Sequence, residues 1–444
     1  MNKDRVKSII LVLLIIFNLV LAERILVDER LWPTGYNLFN IRSVSKNGSD
    51  SAAQYLNLPE RIIVNTGYQT SRFEYIRSSE EFGRIYETSK NIITSALLKP
   101  EKDILTVLSD EWYSALTGKS VYLAYPCKFS AQNFAALLGM STELNFKGFS
   151  DIVIADTGTV YISDTLGGAF YKVDITSPEI SPIIDAALSE ELNSSVINYS
   201  FDLNFDKDFG DQKTFLSPMI PIYSEPVQSE VIESSNPIFK GSEINQKSIS
   251  GILAAFSINP GTVWRYTEAD GSLVFVENTG ILKISPDGLL TFSATADGIA
   301  LSGDSANSVA SEVAELVGKV NSGAGCNADM YITSPILSDT ISELSFDYIF
   351  GGIPVRFNGI NAAQITIKNG RITEYAQILR KYTPCGYTEP SPLYIETLDN
   401  IIAKYSDSMS QINITKMFPA YIDKQEQGKL SPDWFVEIDN VIAE

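Results

Sequence analysis

Residues 363–379 read AQITIKNGRITEYAQIL, and this stretch contains the strongest local folding signal in the chain. Two runs rich in β-branched and aromatic residues, 363–368 and 371–379, flank the dipeptide Asn369-Gly370. Asn-Gly favours the two-residue turn of a β-hairpin, because both central residues of that turn need a positive φ. The stretch therefore predicts two antiparallel strands joined by a tight turn.

Similar signals occur upstream of this hairpin. Strand-like runs surround Asp270-Gly271 and Asp287-Gly288, and apolar residues at helical spacing occupy 244–256 and 308–320. A helix is predicted after the hairpins in both halves, at nearly the same spacing. The sequence fits either a tandem duplication of low identity or two unrelated α+β units.

Strand and helix signals also alternate in residues 59–216, which predicts a further α+β unit. Pro218, Pro221, Pro226 and Pro237 then mark a boundary, since proline at this density is unfavourable in helices and in central strands. The predicted outer region has four parts: an N-terminal outer α+β domain (59–216), a Pro-rich linker (217–242), a middle α+β domain (243–330) and a C-terminal α+β domain (331–444).

The composition excludes several classes of function. The chain has 444 residues, a net charge of −20 and no histidine. The negative charge disfavours binding to the phosphate backbone of a nucleic acid, so no nucleic-acid partner is expected. The absence of histidine excludes Ser-His-Asp and Cys-His catalysis and histidine-ligated metals. Cys127, Cys326 and Cys385 are expected to be small apolar residues, with a Cys326–Cys385 disulfide as the alternative.

Short motifs with known chemistry match poorly. Residues 204–210 resemble a calcium loop, but their glycine comes one position late and the final acid is missing. The Gly-x-Gly pattern at 323–328 follows a predicted helix instead of a strand. Trp112, Trp264 and Trp434 lie in apolar patterns and are expected in the core. The sequence predicts no catalytic, cofactor-binding or metal-binding residues, and therefore no cofactor and no enzymatic activity.

Residues 8–22 read SIILVLLIIFNLVLA and form a nearly continuous apolar run. Lys3, Arg5 and Lys7 precede it, and positive charge before an apolar run keeps that end in the cytoplasm. The run is shorter than a usual membrane-spanning helix. By composition alone it therefore fits a signal peptide cleaved after Ala22 as well as it fits an uncleaved anchor. An anchor would divide this end into a cytoplasmic tail (1–7), a transmembrane anchor (8–22) and a juxtamembrane linker (23–58).

One polar side chain, Asn18, lies within the apolar run. In hydrocarbon its amide gains from a hydrogen bond to a neighbouring helix, whereas near the outer interface it would meet water. We expect a helical stripe around Asn18 to contact the helix of another membrane protein. The stripe consists of Ile10, Leu14, Phe17, Asn18 and Leu21.

Several segments, taken in order, resemble the YycH family of Gram-positive bacteria. Each segment is loose by itself, and their common order over nearly the whole chain carries the resemblance. The segments near the C-terminus are also similar to the sister protein YycI. They are DRVKSIILVLL at 4–14, PERIIV at 59–64, NPGTV at 259–263, DGSLVF at 270–275, GGIPV at 351–355, ITIKNGRI at 365–372, PAY at 419–421 and PDW at 432–434.

The resemblance implies an α+β protein with a single uncleaved N-terminal membrane anchor. The anchor would precede a multi-domain extracytoplasmic region of antiparallel sheets with packed helices. The resemblance also implies an accessory regulator of the essential cell-wall sensor histidine kinase YycG, also called WalK. Such a regulator would act with YycI, through protein–protein and transmembrane-helix contacts.

Two functions of other classes remain compatible with the sequence. One is an outer-surface binding module, secreted or anchored, for a peptide or a cell-wall fragment. The other is a wall hydrolase that uses carboxylates alone. Retention of residues 8–22 in the mature chain would favour the anchored regulator over a secreted binding module.

Overall fold

Strands outnumber helices in the part of the chain that the structure describes. The computed structural model describes residues 58–67, 72–77, 80–140, 144, 146–164, 168–175, 177, 179–189, 198–203, 214–222, 229–241, 243–295, 298–338, 340–388 and 411–441. The α-helices in these ranges are Glu80–Leu97 (α1), Ser109–Thr117 (α2), Ala131–Leu137 (α3), Ser181–Ser189 (α4), Gln246–Ala255 (α5) and Ala306–Ala324 (α6). Short 3-10 helices occur at Glu101–Asp103 and Ser200–Leu203.

Strands from residues 61–173 form an antiparallel sheet, here called the N-terminal sheet. Its strands are β1 (Arg61–Thr66), β2 (Arg72–Ile76), β3 (Ile104–Val107), β4 (Lys119–Ser130), β5 (Gly148–Ala155), β6 (Val160–Asp164) and β7 (Ala169–Val173). The spatial order is β2-β1-β4-β5-β6-β7-β3. Successive residues of a strand point to opposite faces. Ile62 and Val64 therefore join the cluster that contains α1, whereas Ile63 packs with Trp112 and Leu116 of α2.

The remaining strands belong mainly to one larger sheet. In chain order they are β8 (Asn198–Tyr199), β9 (Thr214–Leu216), β10 (Pro221–Ile222), β11 (Glu230–Ser235), β12 (Phe239–Lys240), β13 (Glu243–Ile244), β14 (Trp264–Thr267), β15 (Leu273–Val276), β16 (Gly280–Ile284), β17 (Leu289–Ala294), β18 (Ile299–Ala300), β19 (Asp329–Ile336), β20 (Ile341–Phe350), β21 (Ile353–Phe357), β22 (Ala363–Lys368), β23 (Arg371–Ile378), β24 (Lys381–Tyr387), β25 (Gln411–Asp423), β26 (Gly428–Leu430) and β27 (Pro432–Val441).

The large sheet follows the order β14-β15-β16-β17-β23-β22-β20-β21-β25-β27. Three further strands attach to this path, because β18 pairs with β23, β19 with β20, and β9 with β25. The β21–β25 and β9–β25 pairs are parallel. Smaller sheets have the orders β24-β11-β26, β10-β8 and β12-β13. The described fold is therefore α+β with mainly antiparallel sheets.

Helices α5 and α6 pack against the large sheet and against each other. Their backbones meet where Gly251 faces Gly323, and a Cβ on Gly251 would lie 2.4 Å from the Gly323 carbonyl oxygen. The Phe256 ring, at the end of α5, contacts the rings of Phe292 and Tyr375 in the sheet. One hydrophobic cluster runs continuously from the α1 face of the N-terminal sheet to these helices.

The predicted hairpins are confirmed. Strands β22 and β23 pair on either side of Asn369-Gly370, whose φ values are 50° and 69°. Gly271 and Gly288 also have positive φ values, of 86° and 94°, in the turns β14–β15 and β16–β17. Both residues of Asn369-Gly370 thus have the expected left-handed conformation, whereas in the two Asp-Gly turns only the glycine has it.

Local structure differs from the prediction in two places. Segment 217–242, predicted as a linker without regular structure, contains β10, β11 and β12. Proline is compatible with strand ends, and Glu230–Ser235 contains none, so it pairs on both sides with β24 and β26. The pattern of residues 103–116 also predicts one helix, but residues 104–107 form β3, which pairs with β7 at the sheet edge, and helix α2 begins only at Ser109.

The strands of the predicted middle and C-terminal domains join in one sheet, since β17 pairs with β23. The predicted tail, anchor and nearly all of the juxtamembrane linker, residues 1–57, lie outside the described residues. Residues 204–210 and the helix predicted after the β22–β23 hairpin also lie outside them. Among the helices that are described, none has both the length and the apolar character needed to cross a membrane.

Candidate functional site at the junction of the two sheets

The residues predicted to contact a membrane partner, Ile10, Leu14, Phe17, Asn18 and Leu21, fall outside the described ranges. The residues predicted to set topology, Lys3, Arg5 and Lys7, do so as well. Both sets stay predictions. The described part of the chain contains a different cluster of functional groups, which the sequence did not indicate.

The cysteines form no disulfide. Cys127, Cys326 and Cys385 are all free, so the alternative Cys326–Cys385 bridge is wrong. Cys326 is buried, as expected, whereas Cys385 is exposed on β24. Burial raises the pKa of both the Cys127 and the Cys326 thiol to about 12, so neither is a thiolate nucleophile near neutral pH. In the described ranges, no group of three or more His, Cys, Asp or Glu could hold a metal ion.

Two other motif interpretations can be compared with the structure. Residues 323–328 span the end of α6 and precede β19, with Gly325 as a left-handed cap, so the predicted order of a helix before and a strand after this segment is confirmed. Trp112 is buried as predicted, but Trp264 is 66% exposed, and its assignment to the core is wrong. Trp264 lies on β14, at an edge of the large sheet where no described strand covers it.

The N-terminal sheet and the large sheet meet along a surface here called the seam. The Lys416 ammonium, on β25, donates to the carbonyl oxygen of Pro126 on β4 at 2.8 Å. The Asn133 amide, on α3, donates to the carbonyl oxygen of Pro335 on β19, also at 2.8 Å. These contacts fix the two sheets to each other with side chain to backbone hydrogen bonds.

The buried Tyr331 ring on β19 lies between two arginines in the seam. The guanidinium carbon of Arg77, just after β2, is 4.8 Å from the ring centroid, and that of Arg356, on β21, is 5.9 Å from it. Guanidinium groups are weakly hydrated and stack well on aromatic rings. Tyr331 therefore links a cation from each sheet.

Arg356 has an acidic partner as well as aromatic neighbours. Its Nη1 pairs with the buried Asp347 carboxylate, and its guanidinium carbon is 5.2 Å from the ring centroid of Phe435 and 5.7 Å from that of Phe418. The other Asp347 oxygen accepts a 2.9 Å hydrogen bond from the Ala362 amide. Burial raises the pKa of Asp347, although Arg356 and the Ala362 hydrogen bond oppose that rise.

Arg77 also holds the first described residues of the chain. Its Nε donates to the Pro59 carbonyl oxygen at 2.8 Å and its Nη2 to the Leu58 carbonyl oxygen at 2.7 Å. The Glu60 amide then donates to the Ala124 carbonyl oxygen on β4. The chain thus enters the described fold beside Arg77 and Tyr331, at the seam.

Local sequence patterns could not predict the seam, because its members are far apart in the chain. One available signal was Asp347, a charged residue within the apolar strand ISELSFDYIF at 341–350. A buried carboxylate needs a partner, so this strand implied a nearby cation. The sequence did not indicate that Arg356 would be that cation.

No protein-family profile and no curated protein match the sequence. Among solved structures, the crystal structure of YycH from Bacillus subtilis is similar to this chain, with a TM-score of 0.55 and 12% sequence identity. The similarity covers 87% of this chain and 95% of that one. The likeness to YycH that the ordered segments suggested is confirmed for the fold.

Proposed function

We propose that this chain is an accessory regulator of a YycG/WalK-type cell-wall sensor histidine kinase. The observation that carries the proposal is the YycH-like fold, which extends over 87% of the chain. The ordered sequence segments, from 4–14 to 432–434, independently resemble the same family. The regulator would work with a YycI-like partner through protein contacts, without a catalytic step or a cofactor.

In this proposal the chain stays in the cell membrane with its N-terminus in the cytoplasm. Residues 8–22 are the anchor, Lys3, Arg5 and Lys7 orient it, and residues 23–58 lead to the outer domains. The stripe of Ile10, Leu14, Phe17, Asn18 and Leu21 would contact the kinase or the sister protein. The proposed outer domains keep the boundaries 59–216, 243–330 and 331–444, joined by 217–242.

In this proposal, the seam is where the end of the linker, at Leu58, meets the two sheets. The carbonyl oxygens of Leu58 and Pro59 are bound by Arg77, which lies against Tyr331 of the large sheet. A displacement of the linker would therefore reach both sheets at their junction. We propose that partner binding by the outer domains and helix contacts in the membrane are coupled through this junction.

The test replaces the anchor while keeping the rest of the chain. Residues 6–22 are exchanged for an unrelated membrane helix of equal length, and a kinase-dependent reporter is measured at matched protein levels. We expect loss of regulation, because the specific stripe is gone. Full regulation by the exchanged chain would contradict the proposal that specific helix contacts are required.

A finer version of this test changes only Asn18. One interhelical hydrogen bond contributes roughly 0.6–2 kcal/mol, so Asn18→Leu should shift the regulated equilibrium about threefold to thirtyfold. Leu19→Ile, a neighbouring change outside the stripe, is the matched control. Equal reporter output from the Asn18 variant and the control would argue against a directional role for the amide.

A further inference from the structure

Strand β14 is an open edge of the large sheet in the part of the chain that the structure describes. It consists of Trp264, Arg265, Tyr266 and Thr267, all four of them exposed, and it pairs on one side with β15. Edge strands are usually protected by short length, by charged side chains, by proline or by a covering element. Strand β14 is short and contains one charged side chain, Arg265, but it has no proline and no described element covers it.

The two faces of this edge differ in chemistry. Trp264 and Tyr266 lie on one face with ring centroids 5.1 Å apart, and they are 66% and 41% exposed. Ile281, which the register places on the same face two strands away, is 37% exposed. Arg265 lies on the opposite face. The edge is therefore aromatic on one face and cationic on the other.

The free backbone groups follow from the hydrogen bonding of the β14–β15 hairpin. The Glu268 amide donates to the Ser272 carbonyl oxygen at 2.9 Å, so Glu268 faces β15. Hydrogen bonding alternates along an antiparallel pair, so Tyr266 and Trp264 also direct their backbone groups to β15. The N–H and C=O groups of Arg265 and Thr267 consequently lie on the open edge.

The two cations near the β14–β15 hairpin differ in whether they have an acidic partner. The Lys283 ammonium pairs with the Glu268 carboxylate at 2.7 Å and with the Asp270 carboxylate at 3.7 Å. Arg265 has neither an ion pair nor a side-chain hydrogen bond with any described residue. An acid supplied from outside would complement this cation.

We propose that β14 binds an extended segment of a partner protein, which adds to the large sheet as a further strand. Its backbone would pair with Arg265 and Thr267, as in other cases of strand addition. Its side chains would alternate, with acids facing Arg265 and apolar groups on Trp264 and Tyr266. The inference goes beyond the regulatory role, since this binding requires no kinase.

A second copy of the chain fits this edge less well. In a symmetric antiparallel pair, Arg265 would face either Arg265 or Thr267 of the other copy, and neither supplies an acid. The charge pattern thus favours an acidic partner strand over self-association.

Binding is tested on the full chain in detergent with dye-labelled six-residue peptides, by fluorescence anisotropy. The probe alternates valine and glutamate, and its matched control alternates valine and lysine. We expect the glutamate peptide to bind and the lysine peptide to bind at least about tenfold more weakly. Arg265→Glu should reverse this preference, and a surface charge change of this kind leaves the fold intact.

A second variant tests the backbone contacts. Thr267→Pro removes an N–H from the open edge and should weaken binding of the glutamate peptide about tenfold. The control is Tyr387→Ala, at a 68% exposed aromatic residue on β24, which should leave binding unchanged. Equal binding of both peptides, no binding of either, or an unchanged preference in Arg265→Glu would overturn the proposal. Concentration-dependent dimers that Thr267→Pro abolishes, without peptide binding, would assign the edge to a second copy instead.

Discussion

Two arginine–aspartate pairs have their aspartates on strands of the large sheet, and their surroundings differ. In the first, here called the inner pair, the side chains of Arg380 and Asp423 are 2% and 0% exposed. In the second, here called the seam pair, those of Arg356 and Asp347 are 15% and 4% exposed. The same ion-pair chemistry therefore occurs once within the large-sheet region and once at its junction with the N-terminal sheet.

The Asp423 carboxylate of the inner pair accepts hydrogen bonds from nearby strands, whereas Nε and Nη2 of Arg380 are buried and make no hydrogen bond with a described residue. One Asp423 oxygen accepts from the Ser234 and Tyr382 hydroxyls, each at 3.0 Å, and lies 3.4 Å from Arg380 Nε. Arg380 Nη1 donates to the Asp287 carbonyl oxygen at 2.8 Å. These contacts join β11, β24 and β25 to the β16–β17 turn, so the inner pair stabilises one region of the fold.

The seam pair contacts elements that belong to different parts of the chain. Arg356 reaches Tyr331, and Tyr331 also contacts Arg77, which holds Leu58 and Pro59. A change at the seam pair can therefore alter how the two sheets meet without unfolding either one. We expect the inner pair to act mainly on stability and the seam pair to act on the proposed coupling.

The largest effect is expected from breaking the inner pair. Arg380→Met leaves the Asp423 charge buried without its cation, which should lower the free energy of unfolding by about 3–5 kcal/mol. Chemical denaturation measures this, and Lys381→Met, at the adjacent exposed cation, is the control. A loss no larger than that of the control would remove the distinction between the two pairs.

Breaking the seam pair should lower the free energy of unfolding by a smaller amount. In Arg356→Met, the Asp347 carboxyl can take up a proton, because burial already raises its pKa. We expect a loss of about 1–3 kcal/mol in the free energy of unfolding, together with weaker reporter regulation at equal protein level. A stable variant with normal regulation would separate the seam pair from coupling.

The effect of Arg77→Met on stability should be smaller again. The variant loses the hydrogen bonds to Leu58, which is half-buried, and Pro59, which is buried, but it breaks no ion pair with a described residue, so we expect a loss of about 1 kcal/mol. Amide exchange at Glu60 should nevertheless become faster than in Arg84→Met, a control at an exposed position of α1. Unchanged exchange at Glu60 would mean that Arg77 does not hold the chain at the seam.

The smallest effect is a pH dependence at the seam. The folded pKa of Asp347 is raised above the unfolded value of about 3.9, so folding takes up protons at this group. Its contribution to stability is full below the unfolded pKa and is lost as pH rises through the folded pKa. Relative to Asp347→Asn, which does not titrate, the wild-type free energy of unfolding should fall over that interval. A difference that stays constant or grows with pH would contradict the assigned direction.

Local sequence signals predicted the local parts of the fold. Asn369-Gly370 fixes its own turn through backbone conformation, so neighbouring residues suffice to identify that hairpin. The seam needed long-range information, because Arg77 and Tyr331 lie on different sheets. Trp264 was misassigned for a related reason, since its apolar neighbours could not indicate that its strand ends a sheet. Residues 1–57, where the predicted membrane contacts lie, are not described.

We propose that this chain associates with a cell-wall sensor kinase in the membrane. Co-purification tests this: the tagged full-length chain is isolated from detergent-solubilised membranes, with an unrelated single-pass protein as the control. We expect the kinase and a YycI-like protein to be recovered with this chain and not with the control. Recovery of the chain from membranes without the kinase, or at the level of the control, would contradict it.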